Sequence, residues 1–294
     1  MGMRQGEARV EKLDKKVGFI GAGNMAEAFI GALTGSGLCD SGQILVSDVD
    51  PKRLERVRSV YGIETTPDNR RVFAFSQVLV LAVKPQKMQE VLLELRQGGP
   101  AGRSGGRRVV ISIAAGVRIE RIETILYAPL DEEARSRLPI VRVMPNTPAL
   151  VLAGMSGMAP NRFATEEDIA VTRRILGAIG KVELFQEEAL DAVTAVSGSG
   201  PAYVFYLAEA MMEGGEAAGL SSEASRLLTV ETLKGAALLL EKQAEPPAVL
   251  RSRVTSPGGT TEAALKILEG HAVGKRIVEA VVAAALRSRE LSAT

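Results

Sequence analysis

Two glycine-rich segments hold the groups best suited to chemistry. The first, Gly21-Ala22-Gly23-Asn24-Met25-Ala26, follows the β-rich run Lys16 to Ile20 and opens a helical pattern at Asn24. Between strand and helix, this spacing suits a pyrophosphate. Gly21 permits a tight turn, Gly23 lets a phosphate approach the backbone, and Ala26 lets the helix pack closely on the strand. The helix N-terminus adds unpaired N–H groups and partial positive charge. The second segment is Val254-Thr255-Ser256-Pro257-Gly258-Gly259-Thr260-Thr261, with Glu262 opening an apolar helical run. Gly258 and Gly259 can form a concave nest of N–H groups, and the hydroxyls of Ser256, Thr260 and Thr261 add neutral donors. Such a site suits a small carboxylate. A plain loop with a Ser/Thr helix cap would have the same composition.

Further candidates follow from the first segment. Asp48 and Asp50 stand beyond the second predicted strand, where an acidic residue can hold the ribose 2′-hydroxyl of NAD. Lys52 and Arg53 could instead meet a 2′-phosphate, and Asp50 also stands where the helix at Pro51 needs a cap. These residues leave NADH and NADPH both open. Ligands of open α/β sheets bind at the carboxyl ends of the strands. The turns Ala82-Val83-Lys84-Pro85, Ala114-Ala115-Gly116 and Met144-Pro145-Asn146-Thr147-Pro148 are therefore expected to line one cleft. Lys84 is either a phosphate or hydroxyl ligand or an ordinary surface lysine. Ser197-Gly198-Ser199-Gly200-Pro201-Ala202-Tyr203 reads as the tight start of a close-packed helix, and His271 as a loop residue.

The elements that must position these residues alternate. Strands are expected at 16–20, 44–47, 78–83, 109–113, 140–144 and 181–185. Helices are expected at 24–35, 51–61, 86–96, 118–127 and 165–179. Val78 to Val83 is continuously apolar, as in a strand buried on both faces, and Gln97 to Gly106 reads as a surface loop. Alternating strands and helices predict a parallel sheet covered on both sides. Beyond 186 only helical patterns remain, at 203–220, 222–242, 260–269 and 273–291. The fold class is α/β: an N-terminal Rossmann-type parallel-sheet domain over 16–185, then an all-α domain over 186–294. Residues 1–15 read as a flexible tail. The weakly charged, Ala-rich later helices suggest packing between subunits.

Composition narrows the function. The net charge of +1 and the 4% aromatic content argue against nucleic acid as a partner. No apolar run is long enough to span a membrane, and the N-terminal residues do not read as a secretory signal. A single cysteine, Cys39, fits a reducing, cytoplasm-like compartment. With one cysteine and one histidine, a Cys/His zinc site is excluded and no metal is expected.

Taken together, the chain resembles the pyrroline-5-carboxylate reductase family. The resemblance runs from about Lys16 to Leu291 and rests on GFIGAGNMA (18–26), LAVKP (81–85), SIAAGV (112–117), RVMPNTPALV (142–151), AVSGSGPAYVF (195–205) and VTSPGGTTEA (254–263). It implies NAD(P)H-dependent reduction of the cyclic imine 1-pyrroline-5-carboxylate to L-proline, and a helical domain interlocking two subunits, often within a decamer. It also implies that Asn69 lies by the adenosine, that Thr261 hydrogen-bonds the imine nitrogen, and that Ser256 with the Gly258–Thr260 backbone holds the carboxylate, beside Val254. The charged Ser47-Asp48-Val49-Asp50 loop departs from the polar, uncharged loop of many relatives, so the resemblance does not carry over their usual NADPH preference. An iminium needs no strong acid and no metal to accept hydride, so a site without histidine is no gap. A hydroxyacid dehydrogenase would need a poised lysine, and Lys234, Lys242, Lys266 and Lys275 sit in no such motif. A nicotinamide-sensing protein without turnover would have little use for an intact Thr261 loop.

Overall fold

Runs such as Val78-Leu79-Val80-Leu81 place apolar side chains on both faces of a strand, and the sheet is built around them. The computed structural model describes residues 11–97, 106–128 and 130–292. Residues 1–10 of the expected tail and 98–105 of the expected loop lie outside the described residues. The chain divides into two units, one of residues 1–198 with 285–294 and one of Ser199–Ala284.

The first unit contains, in chain order, β1 (Val17–Ile20), α1 (Asn24–Gly35), β2 (Ile44–Ser47), α2 (Pro51–Tyr61), β3 (Glu64–Thr66), α3 (Asn69–Phe75), β4 (Val78–Leu81), α4 (Pro85–Gln97), β5 (Val109–Ser112), α5 (Ile119–Leu126) and α6 (Glu132–Ser136). It continues with β6 (Ile140–Met144), β7 (Gly154–Pro160), α7 (Glu166–Gly177), β8 (Gly180–Leu184) and α8 (Leu190–Val193). The sheet order is β3-β2-β1-β4-β5-β6-β7-β8. The direction of winding reverses between β1 and β4, the place where such sheets open a ligand crevice. Side chains alternate along each strand. Val17, Phe19, Val78 and Val80 join the core under α1 and α7, while Ile20, Leu79 and Leu81 join the core under α4 and α5. This period of two is what a doubly covered sheet requires.

The structure departs from the sequence-based expectations at several elements. The sheet is not wholly parallel, because β7 pairs antiparallel with β6. β7 (GMSGMAP) has two glycines, a proline and no β-branched residue, so propensity does not mark it; pairing with β6 and β8 makes it a strand. The short edge strand β3 and helix α3 were also not expected. Residues 11–15 are not a free tail. Leu13 is buried in the core and donates its N–H to Leu38 O at 2.8 Å, while Lys12 pairs with Asp40 at 2.8 Å.

The second unit is helical: α9 (Gly200–Ala217), α10 (Ser222–Lys242), α11 (Pro247–Arg253), α12 (Thr260–Gly270) and most of α13 (Val273–Ser292). α11 was not expected; Pro246 and Pro247 conceal it, yet proline is tolerated in a first helical turn. Large apolar side chains remain in solvent in the single chain, Phe205 at 64% and Leu227 at 63% exposure among them, together with Ile267 and Val278. Large apolar side chains left exposed on four helices are the mark of an interaction surface. Among the described residues, no helix is long and apolar enough to cross a membrane.

Candidate active site

Five turns at the carboxyl ends of β2, β1, β4, β5 and β6 lie side by side in the sheet order. These turns and the first residues of the helices that follow them contain every cofactor candidate read from the sequence except Asn69, which opens α3 beyond β3. Gly21 has φ +101, and a Cβ there would lie 2.7 Å from Ala82 O, so only glycine fits between the first turn and the β4 turn. Gly23 is the extended N-cap of α1, with no side-chain cap. A Cβ on Gly23 would meet nothing within 4 Å. The first N–H groups of α1, at Asn24 and Met25, therefore face an open approach of the sort a phosphate uses. Ala26 is fully buried, as close helix–strand packing demands.

The β2 loop is more constrained than its composition suggests. The Asp48 side chain is only 6% exposed. Its Oδ2 accepts the Ala22 N–H at 2.7 Å and its Oδ1 accepts the Asp50 N–H at 2.8 Å. Arg53 lies 3.7 Å from both Asp48 and Asp50. Asp50 caps α2, accepting the Lys52 N–H at 2.9 Å. Asn69 accepts from Ser47 Oγ and donates to Glu94 Oε2, each at 2.7 Å, so it stands at the end of β2.

Lys84 and Pro85 are exposed at the β4 turn, and Lys84 has no ion-pair partner among the described residues. At the β5 turn Ala114 is buried, Ala115 is exposed and Gly116 has φ +74. Asn146 behaves differently. Its Nδ2 donates to Ser197 O at 3.1 Å and Ser197 Oγ at 3.2 Å, and its Oδ1 accepts the Met155 N–H at 2.9 Å. Its amide thus joins the β6 turn to the Ser197-Gly198 segment, which forms a π-turn over Thr194–Gly198.

In the second unit the Thr261 loop is ordered by its backbone. Gly258 (φ +72) donates its N–H to Glu262 Oε2 at 2.7 Å, and Gly259 donates to Ser256 O at 3.0 Å. Both glycine donors of the expected nest are thus engaged within the loop. α12 starts at Thr260 behind an N-cap of Gly259 with no side-chain cap. Thr255 Oγ1 donates back to Arg251 O at 2.7 Å, and Val254 caps α11. Of the two compositional readings, helix capping by a hydroxyl is not what the loop does; among the described residues, the hydroxyls of Ser256, Thr260 and Thr261 make no hydrogen bond. Lys234 and Lys266 sit in helix-surface pairs with Glu231 and Glu262, each at 3.5 Å.

The comparisons bear on both units. Residues 187–291 match the pyrroline-5-carboxylate reductase dimerisation model, and residues 16–116 match the model of an NADP oxidoreductase, coenzyme F420-dependent. A pyrroline-5-carboxylate reductase of Synechocystis is 40% identical over 276 residues, covering 94% of this chain and 98% of its own. The chain belongs to the pyrroline-5-carboxylate reductase family. Among solved structures, a pyrroline-5-carboxylate reductase from Coxiella burnetii is 37% identical with a TM-score of 0.85, covering 95% of this chain and 99% of that one. The Plasmodium falciparum pyrroline carboxylate reductase, solved with NADP bound, is 27% identical with a TM-score of 0.82, covering 96% of this chain and all of that one.

Within this family member, sequence reasoning missed several buried polar residues. Arg142 lies in β6 and is buried, paired with Glu187 at 3.0 Å. Asp191 is buried and accepts from Ser288 Oγ at 2.6 Å. The available signal was an arginine inside the apolar run Ile140-Val141-Arg142-Val143, since a buried charge needs a partner. No local pattern identified which partner.

Proposed function

We propose that this reductase converts 1-pyrroline-5-carboxylate and NAD(P)H to L-proline and NAD(P)+, with one proton taken up at the ring nitrogen. Bound NAD(P)H supplies the hydride. The residues at the β1 turn fit a dinucleotide: Gly23 leaves its approach open, and the Asn24 and Met25 N–H groups point from a helix N-terminus. Asp48 and Asn69 are assigned to the adenosine end, and Ala82-Val83-Lys84-Pro85 with Ala114-Ala115-Gly116 to the nicotinamide end. Asn146 holds the β6 turn of the same cleft in shape.

The observation that carries the substrate reading is the Thr261 loop, where the hydroxyls of Ser256, Thr260 and Thr261 have no hydrogen-bond partner among the described residues. We assign the Thr261 hydroxyl to the imine nitrogen. Ser256 and the Thr260 hydroxyl and backbone hold the carboxylate; with the Gly258 and Gly259 N–H groups engaged in the loop, those glycines act through its shape. Val254 borders the loop. Holding the carboxylate fixes the ring, and orientation is the protein's main contribution to such a transfer.

The exposed apolar side chains of α9, α10, α12 and α13 support self-association through the helical domain. We propose a homodimer that assembles further into a decamer, and a cytoplasmic location that suits the buried single thiol of Cys39. Purified protein with 1-pyrroline-5-carboxylate should oxidise NADPH or NADH and release proline in equal amounts. Cofactor oxidation without proline, or no oxidation with either cofactor, overturns the reading.

A further inference from the structure

Residues 187–198, which follow β8, reach two neighbouring strand-end turns. Glu187 Oε1 accepts the Ile119 N–H at 2.8 Å, at the start of α5, and also pairs with Arg142 of β6. Ser197 accepts from Asn146 of the β6 turn. Between them, Asp191 is buried, with its Oδ1 accepting from Ser288 Oγ at 2.6 Å and Ser292 Oγ at 3.4 Å. Its Oδ2 lies 3.8 Å from Arg118 Nη2. Ser288 and Ser292 belong to the last turns of α13, which are part of the sheet-containing unit. Arg118 directly precedes α5 and lies two residues beyond Gly116. A Cβ on Gly116 would lie 3.4 Å from Leu291 O, so the end of α13 packs directly on the Ala114–Gly116 turn.

A carboxylate buried to this degree persists only where its partners are built in. Its partners here come from two separate parts of the chain, the end of α13 and the residue before α5, and both adjoin one turn. No catalytic step uses Asp191. We infer that Asp191 is a positioning residue: by tying Ser288 to Arg118 it clamps the end of α13 against the Ala114–Gly116 turn and holds that turn in the shape the cofactor meets. The inference rests on the assignment of this turn to the cofactor cleft.

The test uses the full chain with Ser288→Ala, which removes one hydroxyl, and Asp191→Asn, which keeps an acceptor for Ser288 but removes the charge facing Arg118. Amide hydrogen exchange at residues 114–119 should accelerate about tenfold in Ser288→Ala, with exchange in β1 and β4 unchanged. NADPH affinity, read by fluorescence titration, and kcat should fall by about three- to tenfold, while KM for 1-pyrroline-5-carboxylate holds. Ser288→Thr, which retains the hydroxyl, should restore both. Unchanged exchange at 114–119 in both Ser288→Ala and Asp191→Asn overturns the clamp. A separate measurement tests the cleft: NADPH added to wild type should protect residues 114–116. If it does not, the turn is outside the cleft and the functional consequence is overturned, whatever the clamp does to local exchange.

Discussion

The Asp48 carboxylate accepts the Ala22 N–H at 2.7 Å, so the side chain proposed to read a ribose is also a brace of the fingerprint turn. Its second oxygen holds the Asp50 N–H, and Arg53 approaches both acids. A fixed negative charge at the end of β2 favours a free 2′-hydroxyl over a 2′-phosphate. The same contacts make this residue matter to the loop whichever cofactor binds.

Asp48→Ser should therefore have two effects. The loop loses two hydrogen bonds to a charged acceptor, costing about 1–3 kcal/mol of stability and weakening both cofactors. Relief of repulsion should then shift the ratio of kcat/KM values toward NADPH. Steady-state rates with each cofactor, alongside urea denaturation, separate the two effects. A lowered stability with an unchanged ratio would make Asp48 a brace alone.

The two fingerprint glycines should fail differently. Gly21→Ala forces a side chain into a positive-φ position against Ala82 O, a strain of about 1–3 kcal/mol before any steric contact is counted. It should lower the thermal midpoint sharply. Gly23→Val places its side chain in open space and should fold like wild type, yet block the phosphate approach. Circular dichroism melts with NADPH titration would show it. NADPH binding at wild-type affinity to folded Gly23→Val would remove the fingerprint from the cofactor site.

Much of this design was readable from residue order. The apolar run of β4, the glycines between β1 and α1 and the hydroxyl-rich start of α12 each declare themselves through local physics: burial on two faces, a forced turn, a helix end. What was not readable depends on residues distant in sequence. β7 is a strand because β6 and β8 flank it, against its own propensity. Leu13 looked like tail because one apolar residue among charges has no periodicity, although Leu38 receives its N–H. The sequence places Asn146 in a turn that lines the cleft, and only the fold brings it to Ser197. The pairing of Asp191 with Ser288 spans nearly a hundred residues and leaves no local trace.

Acid stability should report on the Arg107–Asp168 pair. Burial alone would raise the Asp168 carboxyl, but hydrogen bonds from Arg107 and from the Thr165 N–H and hydroxyl outweigh it and hold the group below its ordinary value. A lowered folded-state value contributes stability that is present above the unfolded carboxylate value of about 4. That stability is lost as pH falls through the folded value. Arg107→Met should cost about 1–3 kcal/mol at neutral pH, reduced from a fully buried pair because Arg107 keeps a third of its side chain in water. The difference from wild type should shrink as acid protonates Asp168 in both proteins. Denaturant titrations between neutral pH and about pH 3 measure this, and a difference that stays constant would assign the acid sensitivity elsewhere.

The two roles in the Thr261 loop should separate kinetically. A contact made equally in the ground and transition states acts on KM alone, whereas one that strengthens as the imine nitrogen becomes an amine acts on kcat. Ser256→Ala removes a hydroxyl assigned to the carboxylate. It should raise KM for 1-pyrroline-5-carboxylate by about one to two decades, the worth of a hydrogen bond to a charged group, at nearly constant kcat. Thr261→Ala should lower kcat instead, and Thr261→Ser should recover much of it because the hydroxyl survives. Neither change should destabilise α12, since its N-cap is Gly259 and no hydroxyl caps it. Neither should alter NADPH affinity, because the fingerprint turn belongs to the other unit. Single-turnover rates with saturating NADPH make the comparison independent of product release. If Thr261→Ala transfers hydride at the wild-type rate, the nitrogen gains its proton from water or arrives already protonated, and the Thr261 hydroxyl has no part in the chemical step.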